Sequence, residues 1–289
     1  MVAPALNDFE FQFRDDGITM NTQVTSRFID VLKVSGLDTP DVRSTVEEYS
    51  TDHGGYADVR YFRQRTITIE GECFGSVADL EDYLDDWKQN FFPTSAALPF
   101  YLKLPGVTQR LAYAKSLGFK YDVDTLWRQG WSPFQVQLIA EDPRIYTSTP
   151  QSVSTGLPTA EVGRAYNRTY NMSYGSTSTG GTVNLTNDGT FVDGAPAIIT
   201  ITGDVVNPRI ELLQTGQYLD FNLTIVNGST LTIDLLNRSV TLDGASRRLF
   251  LTADSEWFKI PQGSSQINFR ADSYAANALM AVTFRPAWV

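Results

Sequence analysis

The 289-residue sequence is 42% hydrophobic and carries 33 acidic against 23 basic residues, a net charge of −10. A chain of this length holds one large domain or two of average size. One cysteine (Cys73) and one histidine (His53) exclude an intrachain disulfide and a four-ligand Cys/His zinc site, and the acidic balance disfavours general attraction to nucleic-acid phosphate.

Met1 to Asp8 has neither the basic nor the apolar stretch of a secretory signal, and the apolar runs are too short to span a bilayer. The expectation is synthesis in a cytoplasm, without membrane insertion. Phe9-Glu10-Phe11-Gln12-Phe13 alternates like a half-buried strand and turns at Asp15-Asp16-Gly17, and Phe28 to Val34 reads as a second strand ending at Ser35-Gly36. Val46 to Arg63 is a polar stretch with four large rings, Tyr49, Tyr56, Tyr61 and Phe62, among Ser, Thr, Asp and Gly, with Gly54-Gly55 at the expected tip. It is too polar for a core and richer in aromatic area than a solvated loop requires. These four residues are the candidate assembly interface, since tyrosine buries much area at small entropic cost.

Arg65 to Phe74 alternates again and runs into the one convincing helix. Val77, Leu80, Leu84, Trp87 and Phe91 draw an apolar stripe at steps of three and four, Ser76 with Asp79 makes a capping-box-like start, and Pro93 prevents long continuation. Strands are expected at Leu98–Leu104, Leu111–Tyr121 and Phe134–Ile139. This order of strands, one helix and more strands predicts an α+β domain over residues 1–146, a β-barrel or a sheet with one amphipathic helix on it.

Residues 147–163 are rich in Ser, Thr and Pro and read as a linker. Residues 164–289 are expected to be all-β, with short strands at 164–170, 183–185, 198–201, 219–226, 231–236, 240–242, 249–251, 267–269 and 279–284. Asn227-Gly228 and Asp243-Gly244 are hairpin signals. Such spacing predicts a β-sandwich, so the whole chain is mainly β. Residues 1–145 hold 22 acids and 14 bases, and the remainder 11 and 9, so most of the charge imbalance lies in the first half.

Catalytic chemistry finds little to work with. A triad mechanism would have to pass through His53 beside Asp52, in a glycine-flanked loop. Carboxylate pairs at Asp15/Asp16, Asp85/Asp86 and Asp122/Asp124 read as a solvated acidic surface, and no phosphate-cradling glycine loop precedes a helix. The expectation is a protein that is not an enzyme and has no catalytic, cofactor-binding or metal-binding residues.

Ile67-Thr68-Ile69-Glu70-Gly71, the acidic helix, Leu102-Lys103-Leu104-Pro105-Gly106 and Glu141-Asp142-Pro143-Arg144-Ile145-Tyr146 resemble, in this order, the N-terminal half of siphophage distal tail proteins. Asn187-Asp188-Gly189-Thr190, Ile199-Thr200-Ile201-Thr202-Gly203, Asn207-Pro208-Arg209-Ile210, Leu231-Thr232-Ile233-Asp234 and Trp257-Phe258 before Pro261-Gln262-Gly263 resemble the C-terminal half. The resemblance implies a virion protein at the tail tip: a hexameric hub ring that joins the tail tube to the tip or baseplate apparatus and lets DNA pass. It implies a ring-forming N-terminal domain, a galectin-like C-terminal sandwich, and no cofactor. The partners it implies are further copies of the chain, the tail tube protein, and tail-tip hub and receptor-binding proteins, without sequence-specific nucleic-acid binding. Residues 46–63 depart from the family pattern by their length and polarity. The runner-up reading is a carbohydrate-binding adhesin gripping a host-surface glycan through sandwich aromatics; a third, resting only on the acids, is a glycan-degrading enzyme.

Overall fold

The computed structural model describes residues 3–22, 28–44, 46–57, 60–158 and 180–289. The expected strand at 164–170 lies outside the described residues. The chain divides into two compact units, Met1–Ser148 with Trp288–Val289, and Thr149–Ala287.

The first unit contains β1 (Phe11–Phe13), β2 (Thr19–Met20), β3 (Phe28–Ser35), β4 (Val42–Arg43), β5 (Val46–Glu48), β6 (Gly55–Ala57), β7 (Tyr61–Phe62) and β8 (Arg65–Phe74), then α1 (Leu80–Asn90). It continues through β9 (Leu98–Leu102), β10 (Arg110–Tyr121), a 3-10 turn at Thr125–Gln129, β11 (Trp131–Ala140) and β12 (Ile145–Thr147). The main sheet runs β2-β1-β9-β10-β11-β8-β3, all neighbours antiparallel, with β12 also paired to β10. Its two terminal strands meet at Asn21, whose backbone N–H donates to the Ile29 carbonyl at 3.0 Å and whose Oδ1 accepts from the Val31 N–H at 2.5 Å. The sheet thus curls toward a barrel.

The helix closes this barrel from one side. Leu80, Leu84, Trp87 and Phe91 are buried, and the rings form a continuous stack: Phe13 on Phe91 at 5.4 Å, Phe91 on Trp87 at 5.8 Å, Phe91 on Phe119 at 6.1 Å, and Phe119 on Phe134 at 5.4 Å. Stacked rings at these spacings add to the burial of their area. The last turn is tied to the sheet by the Ser116 hydroxyl, which donates to the Phe91 carbonyl at 2.7 Å. Gly71 leaves room for the same stack, since a Cβ there would lie 2.8 Å from the Phe134 ring and 2.2 Å from the Asp30 carbonyl oxygen.

Two details correct the expectations. The helix starts at Leu80 rather than Ser76, so Val77 falls outside the stripe and is exposed. Ser76 and Asp79 do form a reciprocal bond, Ser76 Oγ accepting from the Asp79 N–H and donating to Oδ2, but it closes the turn ahead of the helix. The strand at Phe9–Phe13 shortens to Phe11–Phe13, with all three residues buried. Gln12, expected to face water, is covered by the turn that follows: its Nε2 donates to the Arg14 and Asp15 carbonyls, each at 3.1 Å.

The second unit is a β-sandwich. Its strands are β13 (Gln151–Gly156), β14 (Thr182–Asn187), β15 (Ala197–Thr202), β16 (Val205–Val206), β17 (Arg209–Leu212), β18 (Gln217–Asp220), β19 (Thr224–Ile225), β20 (Thr230–Asp234), β21 (Ser239–Leu242), β22 (Ala245–Ser246), β23 (Gly263–Arg270) and β24 (Leu279–Phe284). One sheet runs β13-β24-β15-β20-β21-β22 and another β14-β23-β17-β18. Strict alternation in β14, β15, β20, β23 and β24 buries Val183, Leu185, Ile199, Ile201, Leu231, Ile233, Ile267, Phe269, Met280 and Val282.

The expected linker therefore contains a strand, because Gln151–Gly156 pairs along its length with β24 and satisfies its polar backbone there. The expected strand over 219–226 is split: Phe221 pairs with Leu251 and the chain changes partners, β18 joining β17 and β19 joining β16. Asn227-Gly228 accordingly turns between strands that do not pair with each other. Asp243-Gly244 is a true hairpin turn, both residues at positive φ (49° and 81°), the combination that matches strand twist. Its partner is Ala245–Ser246; Arg248–Phe250 is a 3-10 turn rather than a strand.

Trp87→Ala should lower stability by about 3–5 kcal/mol through a cavity in the ring stack, whereas Val77→Ala should change it by less than about 0.5 kcal/mol; chemical denaturation of both variants checks the contrast. Burial pushes the Cys73 thiol up to about 12. The sign follows: a raised thiol pKa stabilises the folded state below the ordinary value and loses that contribution as pH climbs toward 12. At pH 8 Cys73 should resist iodoacetamide in the native protein and react once the chain unfolds, as intact mass would show.

Candidate assembly interface

The polar stretch between β3 and β8 is a β-hairpin arm. At its root Val42 opposes Phe62 and Arg43 opposes Tyr61; further out Val46 opposes Ala57, Glu47 opposes Tyr56 and Glu48 opposes Gly55. Polar and β-branched residues on both sides of Gly54-Gly55 make this ribbon possible, and the Tyr49 N–H closes the tip on the Gly54 carbonyl at 3.0 Å. Every residue of β4, β5 and β6 is exposed, so the ribbon has water on both faces. An isolated two-stranded ribbon is marginally stable at best.

The four candidate rings do not form one patch. Tyr49 and Tyr56 sit toward the tip, 53% and 61% exposed, while Tyr61 (58%) and the half-buried Phe62 sit at the root. The Arg43 guanidinium lies over the Tyr61 ring at 5.9 Å. Arg43, Phe62, Arg63 and Gln64, with Glu141, line an open cleft at the root. Glu141 is already engaged by Lys115 Nζ at 2.6 Å.

What holds the root is Arg65, a residue sequence reasoning missed. It is 2% exposed, and its guanidinium donates to the carbonyls of Gly36 (2.8 Å), Asp38 and Pro143 (3.0 Å). Burial holds its pKa below the ordinary arginine value, opposed by the charge of Asp38. The segment before the arm and the loop after β11 are thereby fixed to the first residue of β8. The signal was available: Arg65 shares the parity of Ile67 and Ile69 on an alternating strand, which puts it on the inward face. The neighbouring Asp142-Pro143-Arg144-Ile145-Tyr146 run is a clamp of its own, Asp142 accepting from the Tyr146 hydroxyl at 2.5 Å and from Arg144 at 3.0 Å. Burial, and secondarily the charge of Asp142, raises the Tyr146 pKa well above its ordinary value.

Of the remaining sequence candidates, Asp15, Asp85 and Asp124 carry structural bonds. His53 is exposed near the arm tip, and Asp52 accepts from its backbone N–H rather than its ring. Asp15 accepts from the Tyr101 hydroxyl, Asp85 pairs with Lys88, and Asp124 caps a 3-10 turn through the Leu126 N–H. Among the described residues no three His, Cys, Asp or Glu side chains gather as a metal site would require, and no helix is long and apolar enough to cross a membrane. In the sandwich, the Arg209 guanidinium stands 3.8 Å from the Tyr218 ring centre and Arg248 stands 6.0 Å from that of Trp257, over ring faces on which a sugar would stack.

Arg65→Ala should remove the donor that three part-buried carbonyls share and cost about 2 kcal/mol. Hydrogen exchange should then rise at residues 36–38 and at Arg144, next to Pro143, ahead of the helix, a pattern a uniform loss of stability would not give.

Comparison with known proteins places these features. Residues 188–288 match the family model of the siphovirus-type tail component, C-terminal domain. No curated protein matches the chain. Among solved structures, the chain is similar to SPP1 Dit (gp 19.1), described as a paradigm of the hub adsorption apparatus in phages infecting Gram-positive hosts, with 12% identity, 98% of this chain and 100% of that chain covered, and a TM-score of 0.66. It is also similar to chains of the phage P2 baseplate in its activated conformation, with Ca (12% identity, 96% and 97% covered, TM-score 0.53) and with Sr (12%, 96% and 98%, 0.52). The second unit is thus similar to the siphovirus-type tail component, C-terminal domain, and the chain as a whole has the fold of SPP1 Dit.

Proposed function

We propose that the chain is the distal tail protein of a long-tailed phage, a structural, non-enzymatic hub ring that joins the tail tube to the tip or baseplate apparatus. The observation that carries this reading is the fold match, which spans both units and the full length of SPP1 Dit. The partners are further copies of this chain in a hexamer, the tail tube protein, and tail-tip and receptor-binding proteins. The first unit forms the ring, and its 22 acids against 14 bases suit a channel wall past which DNA slides without adhering. A ring subunit needs two different surfaces that meet head to tail and close. The exposed arm supplies one of them, with Tyr49, Tyr56, Tyr61 and Phe62 as its anchors.

Light scattering tests the ring: the assembled species should have a mass near six times 32.2 kDa. Deleting Ser50 to Asp58 should leave the melting temperature of the monomer nearly unchanged, because the arm adds little to the core, and should weaken ring formation. A deletion variant that assembles as the parent does would rule the arm out.

A further inference from the structure

The charge on the arm is sorted along its length. The root holds one described acid, the exposed Asp41, whose carbonyl accepts from the Arg63 N–H at 2.7 Å, and three arginines leave it net basic. The described tip residues Glu47, Glu48 and Asp52 are acidic, and the root residues Arg43, Arg60 and Arg63 are basic. All three arginines are exposed or line the root cleft, and among the described residues none of the six has an ion-pair partner. The tip cannot neutralise its own root. Glu47 and Glu48 lie in β5, beyond the root pairs Val42–Phe62 and Arg43–Tyr61, and Asp52 lies in the turn beyond them, while charges more than about 8 Å apart are largely screened at physiological salt. The acid in the root cleft, Glu141, is occupied by Lys115. The cleft thus offers two arginines, Arg43 and Arg63, to an incoming group, while the tip offers carboxylates and two exposed rings, Tyr49 and Tyr56.

We propose that the acidic tip of the arm on one copy seats on the arginine-bearing root of the arm on the next copy. This deepens the ring reading above and rests on it. Opposite patches at the two ends of one ribbon are complementary between copies. Such a contact sets direction and register around a ring, where like charges brought together would be rejected.

Two variants test it. One reverses the tip (Glu47→Lys, Glu48→Lys, Asp52→Lys) and the other the root (Arg43→Glu, Arg60→Glu, Arg63→Glu). Each alone should run at 32.2 kDa under conditions where the parent chain assembles. An equal mixture should assemble again, because each reversed tip meets a reversed root in an alternating, even-numbered ring. If a reversal fails to fold by circular dichroism, the neutral set Arg43→Gln, Arg60→Gln, Arg63→Gln replaces it, with roughly tenfold weaker assembly expected. Either reversal assembling like the parent, or a mixture that stays at 32.2 kDa, overturns the tip-on-root contact. If the reversals assemble while the Ser50 to Asp58 deletion does not, the docking site is wrong and the arm reading stands. A species of twice 32.2 kDa that the reversals abolish and mixing restores supports the contact and overturns the ring. A parent chain that stays monomeric at every concentration and salt contradicts both.

Discussion

Arg65 occupies the first position on the otherwise apolar inward face of β8, and its guanidinium donates to the carbonyls of Gly36, Asp38 and Pro143. A buried charge without partners costs several kcal/mol, so these carbonyls have to stay where they are for the unit to fold. Two consequences follow. The loop after β11 is pinned, which sets up the Asp142 clamp beside it. The chain also enters and leaves the arm at fixed points, so a ribbon with no core of its own projects from a rigid base. Surface devices work when their bases do not move.

The barrel behind that base is organised by the helix. The stack from Phe13 through Phe91, Phe119 and Phe134 joins the first strand, the helix, and the two long strands β10 and β11 in one layer of rings. The sandwich is organised differently, by alternation on strands that face each other, with aliphatic residues dominating. The two units thus have independent cores, which is consistent with a family model that covers 188–288 alone.

Much of this was legible in the sequence where one pattern dominated. The ten-residue alternation of Arg65–Phe74 and the helical stripe from Val77 to Phe91 had a single interpretation, and the structure follows the first throughout and the second from Leu80 onward. Reading failed where a local pattern depended on distant partners. Gln12 is buried because a turn folds over it, and nothing in its neighbours' hydropathy shows that. Gln151–Gly156 has a linker's composition, yet β24 gives it a ladder. Asn227-Gly228 makes its turn, but strand pairing is decided by sheets far away in sequence. For the arm, composition pointed to Tyr49, Tyr56, Tyr61 and Phe62 but not to their division between tip and root, which is a matter of register.

The physical account of function joins these parts: a barrel stiffened by rings, a root locked by one arginine, and an exposed arm with an acidic tip and a net basic root. Both units share the fold of SPP1 Dit. Electron cryomicroscopy of the assembled chain tests this most directly. The account predicts a closed ring of six copies built from the first unit, with each arm lying on its neighbour's arm root and the acidic wall facing the channel. A ring held together by the sandwiches with the arms free in solvent, or particles that are single copies throughout, would contradict it.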